Sequence, residues 1–439
     1  MSYEIYSIYY YCRFVVEGFD SAEPVFAELI KNAEPGDELV DAYQLKTILC
    51  TGYHTDVEAI KAGITGLRHL GLKIPMHPKP WDIAWEMVLV SLQFARGQIR
   101  SLLSQPPMWD VQARKTMELL ADLVPPASLV NPELFVYTVL KMNRLTLRYG
   151  RCDTSAFAYA CYAVVAYALG WNSPRITELQ EVALELAESS SESMRYRTYY
   201  VVSSFLNHWN KHLQTSLEYA KQVHAAACEH GDTIFAGAAV TDMVQTQHVL
   251  GESLDKLAEL NEMALRETGK YGMQFLVDVL RAVDSYISSL KGETLDEYVI
   301  PRNTLQRMLE TDSAMIVPYY YLMSIQVDYL RGDYAGAYAH VREISDKLES
   351  LKGKILYVEH IYWGCLATAA VYQDLEPRKQ NKALKQLRAY AKQLEKWSRW
   401  CPVNFLHKYK LVSAQLPQMK ADHSKRMELY EEAIASAEK

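Results

Sequence analysis

The chain has 439 residues, of which 49% are hydrophobic. This share is too high for a disordered protein and requires extensive burial, in two or three domains or in one long repeat array. Lys and Arg number 46 against 53 Asp and Glu, and the resulting net charge of −7 argues against a general nucleic-acid binder.

The cysteines and the N-terminus indicate the compartment. Seven scattered cysteines include no C-x-x-C pair, which argues against a disulfide framework or a zinc knuckle and suits a reducing environment. Residues 1–18 are apolar but carry Glu4, Arg13 and Glu17, so they predict a first helix and not a signal peptide. No charge-free apolar stretch of about 18 residues occurs. We therefore expect a cytoplasmic protein without a membrane span.

The first part of the chain repeats with the spacing of tetratricopeptide motifs. A segment that begins at Gly18 and another that begins at Gly52 lie 34 residues apart, with an aromatic residue after each glycine. Phe26 in the first segment matches Ile60 in the second. We predict that residues 1–74 form regular tetratricopeptide-like repeats.

A proline-rich stretch then interrupts the pattern. Gly71 is a typical helix stop, and Pro75, Pro78 and Pro80 prevent a helix from resuming at once. Residues 75–439 are predicted to form longer, irregular helix pairs that continue the first part. Weaker breaks are expected at 104–110 and 292–301.

The helical period persists through the rest of the chain. The segment 131–150 has an apolar stripe that ends at Gly150, and the segment 154–171 is apolar on nearly every side, as in a buried helix. Alternating strand patterns are absent. The sequence predicts an all-α, tetratricopeptide-like helical-repeat superhelix, an α-solenoid of about ten helix pairs. Each pair is expected to bury its apolar face only against its neighbours.

Several segments, taken in order, resemble one region of a known group of proteins. They are GLRHLGLKIPMHP, LLADLVPPASLVNPELFVYTVLKMNRLTLRYG, SAFAYACYAVVAYALG, YRTYYVVSSFLNHW and CPVNFLHKYKLVSAQL. In that order they are similar to the tetratricopeptide-like middle region of large multidomain signalling proteins. Those proteins carry a Ser/Thr-kinase-like domain, an AAA-type ATPase, the helical region and often GAF and histidine-kinase or cyclase modules.

The catalytic modules of that group are not found in this sequence. A phosphate-binding G-x-x-x-x-G-K-[ST] motif is absent, as are a Gly-rich kinase loop, H-R-D and D-F-G. We therefore expect no enzyme activity and no cofactor. The chain is either a fragment of a larger protein or a stand-alone relative, and its end inside a repeat favours the fragment.

One segment, 376–400, predicts a basic amphipathic helix in an otherwise acidic chain. Its cations recur every three or four residues and fall within an arc of roughly 120°. They are Arg378, Lys382, Lys385, Arg388, Lys392, Lys396 and Arg399. Such a face suits an acidic or phosphorylated protein segment, or an anionic surface. The alternative is a solvated face whose charge nearby Glu and Asp residues balance.

A second candidate lies at 207–212, NHWNKH. His208 and His212 are four residues apart, but the sequence offers neither the Glu of H-E-x-x-H nor a third ligand, so a structural role is favoured over a metal site. Asn207 and His208 are predicted to satisfy backbone groups at a helix end while Trp209 packs on the next pair; contact with a partner is the minority interpretation.

Together these observations predict a non-catalytic protein-interaction and sensing scaffold. The resemblance implies that it couples ATPase and output modules of a signalling protein. The alternative is a stand-alone receptor that binds a signalling peptide or small ligand in its concave groove. Protein domains or peptides are the expected partners, and neither nucleic acid nor a metal is expected.

Overall fold

In a computed structural model, residues 3–53, 55–171, 174–292, 316–345, 347–416 and 422–438 are described. Within these ranges the chain is α-helical almost throughout, and an isolated bridge between Pro107 and Arg151 is the one extended pairing. None of the described helices is long and apolar enough to cross a membrane. The predicted all-α class is confirmed.

The α-helices are numbered here in chain order over the described residues. They are α1 Tyr3–Glu17, α2 Phe19–Asn32, α3 Asp37–Gly52, α4 Asp56–His69, α5 Pro80–Arg96, α6 Val111–Val130, α7 Pro132–Tyr149, α8 Ser155–Ala168, α9 Pro174–Ala187, α10 Glu192–Val201, α11 Gln214–Glu229, α12 Thr233–Leu250, α13 Leu254–Lys270, α14 Gln274–Lys291, α15 Ile316–Arg331, α16 Tyr334–Ile344, α17 Ile355–Val371, α18 Pro377–Trp400, α19 Pro402–Gln415 and α20 His423–Ala437.

Side chains at the helix ends explain why the elements begin and end where they do. Asp110, Asn131, Asp232 and Asp333 each accept a hydrogen bond from a backbone N–H in the first turn of the following helix. Consecutive helices joined by such short turns pack as neighbouring pairs, as the sequence predicts. The predicted proline break is confirmed, since residues 70–79 separate α4 from α5, which starts at Pro80.

The chain forms two compact units. Unit 1 comprises the described residues of Met1–Ala166 and Ser173–Thr198, and unit 2 comprises those of Tyr167–Asn172 and Tyr199–Lys439. The boundary predicted between residues 74 and 75 falls inside unit 1, between α4 and α5. Except for Gly292, the break predicted at 292–301 lies outside the described residues.

Unit 1 is held by close helix packing around α3, α4 and α6. Gly66 of α4 leaves no room for a larger residue, because an added Cβ would lie 2.7 Å from a methyl of Leu119 and 3.1 Å from the Cβ of Tyr43. At Gly150 the backbone φ is +99°, and a Cβ would lie 2.3 Å from the carbonyl oxygen of Pro106. The predicted stop at Gly150 is therefore confirmed and has a steric cause.

Unit 2 is built around an apolar core shared by α12 to α17, with buried Val283, Leu322 and Leu356 among its members. Its last helices also contact its first residues. The ammonium of Lys396 in α18 donates to the carbonyl of Gly170 at 3.1 Å, across 226 residues of sequence. The expectation that each pair contacts only its neighbours is therefore wrong for unit 2, because α18 and α19 also cover the start of this unit.

Candidate partner-binding surface and buried polar cluster

Helix α18 has the two-sided character that its sequence predicts. Leu387, Ala391, Leu394 and Trp397 are buried, and Leu394 has no exposed surface. The seven predicted cations are all exposed on the other side: Arg378, Lys382, Lys385, Arg388, Lys392, Lys396 and Arg399. The buried side fixes the helix in unit 2, so the cations stand on a rigid element.

Few of these cations have a partner of opposite charge. Arg399 pairs with Glu395 at 2.6 Å. Lys396 bonds Gly170 and lies 4.9 Å from the ring centre of Trp400. The remaining five cations form no ion pair with any residue in the described ranges. Neutralisation by neighbouring acids, the alternative raised by the sequence, is thus observed at Arg399 and not along the rest of the face, which we call the basic face of α18.

Asn207 and His208 are placed differently from the basic face. Both have no exposed surface. The side-chain amide of Asn207 donates to the hydroxyl of Thr215 at 2.7 Å. Partner contact at these two residues therefore finds no support, and the burial favours the structural role.

The two histidines of NHWNKH do not come together as a metal pair. Burial lowers the pKa of His208 to about 3, with a small opposing effect from the backbone of Gly353. The Nδ1 atom of His212 accepts a hydrogen bond of 3.0 Å from the backbone N–H of Gln214. Among the described residues, neither ring belongs to a group of three or more potential metal ligands.

Two segments quoted above for their resemblance meet in space, although nearly 200 residues separate them. The side-chain amide of Asn404 donates to the carbonyl oxygens of His208 and Lys211, each at 2.8 Å. Its oxygen accepts from the backbone N–H of Leu213 at 3.0 Å. One asparagine in α19 therefore satisfies three backbone groups of the irregular segment 207–213.

An aromatic cluster surrounds the same segment. The ring centre of Trp209 lies 5.7 Å from those of Trp397 and Trp400 and 5.6 Å from that of Phe405. The ring of Tyr167 stacks on it at 6.1 Å. Trp209 therefore packs on α18 and α19, two distant helices that the sequence did not predict as its neighbours.

The backbone before this cluster departs from α-helical geometry. Residues Val202–Leu206 form a π-helical turn, and a 3-10 turn follows at Asn207–Trp209. Single π-helical turns of this kind are frequent at functional sites. Here the turn presents Ser204 to α12.

A polar cluster that the sequence analysis missed lies beside this turn. The hydroxyl of Ser204 donates to the carboxylate of Asp242 in α12. Lys354, at the start of α17, lies near the same carboxylate, and its ammonium is 5.0 Å from the ring centre of Phe205. The sequence signal was weak: a single acid in the apolar run AGAAVTDMV, and a lysine that looks like one more surface charge.

Burial perturbs the ionisation of this polar cluster. It raises the pKa of Asp242, with Lys354 and Ser204 acting in the opposite direction. It lowers the pKa of Lys354, which Asp242 partly offsets. With His208 and Thr246 these groups line a cavity of about 20 Å³. That volume holds about one water molecule.

Comparisons with known proteins include two distant similarities. No family model matches the chain. Over 188 residues it is 22% identical to hybrid signal transduction histidine kinase G of Dictyostelium discoideum, which covers 41% of this chain and 5% of that protein. The chain thus spans a small part of the length of this relative.

The second similarity is to a solved structure. A circular tandem repeat protein with novel repeat topology aligns over 100% of this chain and 97% of its own, at 13% identity. The TM-score is 0.17, which carries no argument about the fold.

Proposed function

We propose that the chain is a non-catalytic interaction and sensing scaffold of a multidomain signalling protein, where it couples ATPase and output modules. In this proposal the basic face of α18 binds an acidic or phosphorylated segment of a partner domain. The partial match to a signalling histidine kinase supports the setting.

The observation that carries the proposal is the row of unpaired cations on the basic face of α18. Five exposed cations without an ion pair in the described ranges run from Arg378 to Lys392, about 21 Å along the helix axis. The whole chain carries a net charge of −7, so the charge of this face is opposite in sign to the net charge of the chain. A partner with carboxylates or phosphates at a spacing of three to four residues complements it.

The small volume of the cavity supports the non-catalytic part of the proposal. Perturbed acid and base groups gather beside Asp242, as in many active sites. Room for about one water molecule, however, leaves no place for a substrate. In this closed arrangement the polar cluster links the π-helical turn at Val202–Leu206 to α12 and to the start of α17.

A pull-down from the source cell with the full chain as bait tests the proposal. One variant changes four of the unpaired cations, Lys382, Lys385, Arg388 and Lys392, to Glu. A control variant reverses four exposed cations on other helices: Lys31, Lys61, Lys256 and Arg266. We expect a partner that carries kinase, ATPase or cyclase modules, lost with the first variant and retained with the control. Retention of that partner by the first variant would place docking elsewhere.

A small-ligand receptor is the second candidate function, and the polar cluster favours it. The half-buried charges Asp242 and Lys354 would suit a small polar ligand if α12 and α17 separated. Native mass spectrometry of the purified chain checks this possibility. A ligand that co-purifies with the wild type and is lost in Lys354→Met would favour the receptor.

A further inference from the structure

A second group of donor side chains lies in unit 2, away from the basic face of α18. His224 and Cys228 are one turn apart on α11, and Glu267 is on α13. The Nε2 atom of His224 lies 2.7 Å from a carboxylate oxygen of Glu267 and 3.6 Å from the sulfur of Cys228. All three donor atoms lie within 4.8 Å of one another.

The spacing of these atoms suits a tetrahedral metal ion. Around zinc, with bonds of about 2.3 Å to sulfur and about 2.0 Å to nitrogen, the two donors lie about 3.6 Å apart. The observed separation of sulfur and Nε2 is 3.6 Å. Nitrogen and oxygen donors lie about 3.3 Å apart in the same geometry, so the contact between His224 and Glu267 has to lengthen by about 0.6 Å. A change in the side-chain torsions of Glu267 would have to supply that shift.

The surroundings allow an ion to enter. Cys228 is exposed, and the side chains of His224 and Glu267 are 20% and 26% exposed. The hydroxyl of Tyr271 lies 3.9 Å from the sulfur of Cys228. Burial, followed by Cys228 and Glu267, raises the pKa of Tyr271 to about 12, so its hydroxyl keeps its proton near neutral pH.

We propose that His224, Cys228 and Glu267 bind a zinc ion whose fourth position takes a water molecule. One thiolate, one imidazole and one carboxylate form a donor set typical of zinc, whereas magnesium and calcium prefer oxygen ligands throughout. The bound ion would tie α11 to α13, both of which pack on α12. The site is independent of the function proposed above.

A hydrogen bond between His224 and Glu267 alone would explain why these two of the three side chains lie close together. It would not need the sulfur of Cys228 within reach of the same ring nitrogen. The role of Cys228 therefore separates a zinc site from a simple ion pair, and the experiment is built on this residue.

Competition with a chromophoric chelator measures zinc binding by the untagged, reduced full chain. We expect one zinc equivalent for the wild type and an affinity at least about 100-fold lower for Cys228→Ser and for Glu267→Gln. The matched control is Cys12→Ser, because Cys12 is also an exposed free cysteine.

Cobalt gives an independent readout of the ligands. A thiolate-to-cobalt charge-transfer band should appear with the wild type and with Cys12→Ser, and should vanish with Cys228→Ser. Failure of the wild type to bind one equivalent would overturn the proposal. Equal zinc affinity in the wild type and Cys228→Ser would do the same.

Discussion

At the scale of single residues, Asn404 shows how one side chain can organise an irregular segment. Its amide group bonds the backbone at His208, Lys211 and Leu213, where no helix supplies partners. Buried backbone groups left without a partner cost more than the net value of the bonds themselves. The segment 207–213 therefore depends on a residue in α19.

Replacing this residue should destabilise unit 2. We expect Asn404→Ala to lower the free energy of unfolding by about 2–4 kcal/mol, because it removes the hydrogen bonds of its side chain to two buried carbonyls and one N–H. The control Asn381→Ala removes an exposed asparagine of α18 and should change the free energy of unfolding by less than about 0.5 kcal/mol. Urea unfolding followed by circular dichroism measures both. Equal stability of the two variants would contradict this role of Asn404.

Buried histidines make the stability of unit 2 depend on pH. Burial lowers the pKa of His248 to about 4; Lys408 acts in the same direction, and the hydrogen bond to Gln326 opposes it. The ring of Tyr286 packs against the ring of His248, with 4.9 Å between the ring centres. The folded state holds this histidine neutral, while the unfolded chain takes up a proton below about pH 6.5. Its contribution is therefore fully present above pH 6.5 and is lost as the pH falls toward 4.

We expect the urea midpoint of the wild type to fall between pH 7 and pH 5, and the fall to be smaller in His248→Gln. Asp242, whose pKa burial raises, acts in the opposite direction, but its effect is common to wild type and variant. The exposed His423 supplies the control, and His423→Gln should keep the wild-type dependence. An unchanged dependence in His248→Gln would show that this residue does not contribute.

The residue-scale features differ in how well the sequence predicts them. The cations of α18 were predicted because their period of three to four residues marks one helix face. The polar cluster was not predicted from the sequence, because its members Ser204, Asp242 and Lys354 come from three distant segments. The contacts of Asn404 were missed for the same reason: each residue alone looks like an ordinary polar residue in or beside a helix.

At the scale of helices, two glycines inside helices differ in their surroundings: one is required by close helix packing and the other is not. Gly66 lies where α4 approaches α3 and α6, whereas an added Cβ at Gly269 in α13 would meet no atom within 4 Å. The period of the first repeats predicted α2 and α4. The reason for a glycine at position 66 needs the neighbouring α6, which the repeat pattern does not reveal.

These two glycines should respond in opposite directions to the same change. We expect Gly66→Ala to destabilise unit 1 by about 1–3 kcal/mol, because the new methyl group clashes with Leu119 and with Tyr43. Gly269→Ala should be neutral or stabilise unit 2 by about 0.5 kcal/mol, since alanine favours the helix. Thermal unfolding of each variant beside the wild type measures the difference. A stable Gly66→Ala would show that α4 and α6 are free to move apart.

At the scale of the whole molecule, sequence periodicity predicted the all-α class, and glycine and proline predicted the breaks after α4 and α7. It did not predict two compact units or the return of α18 and α19 to the start of unit 2. Periodicity reports which face of a helix is apolar, not which distant helix covers it. Trp209 could be recognised as a core residue, but its neighbours Trp397, Trp400 and Phe405 could not be assigned.

Truncation tests the return of the last helices. Deleting residues 376–439 should expose Trp209, which is 2% exposed in the intact chain, and loosen residues 199–229. Deleting only 422–439 retains α18 and α19 and should leave this region protected. Amide hydrogen exchange of 199–229 measures the effect. In a purely nearest-neighbour array both deletions would leave the region protected.

The bonds of Asn404 also set an order of events during synthesis. Residues 208–213 leave the ribosome about 190 residues before their partner, which at about 5–20 residues per second is a delay of roughly 10–40 s. Contacts of such long sequence separation form late and slow the folding of a domain. During that interval Trp209 lacks its cover, so the nascent chain exposes a surface that a chaperone can bind. The start of unit 2 is thus synthesised early, but its packing is complete only after α18 and α19 have been synthesised.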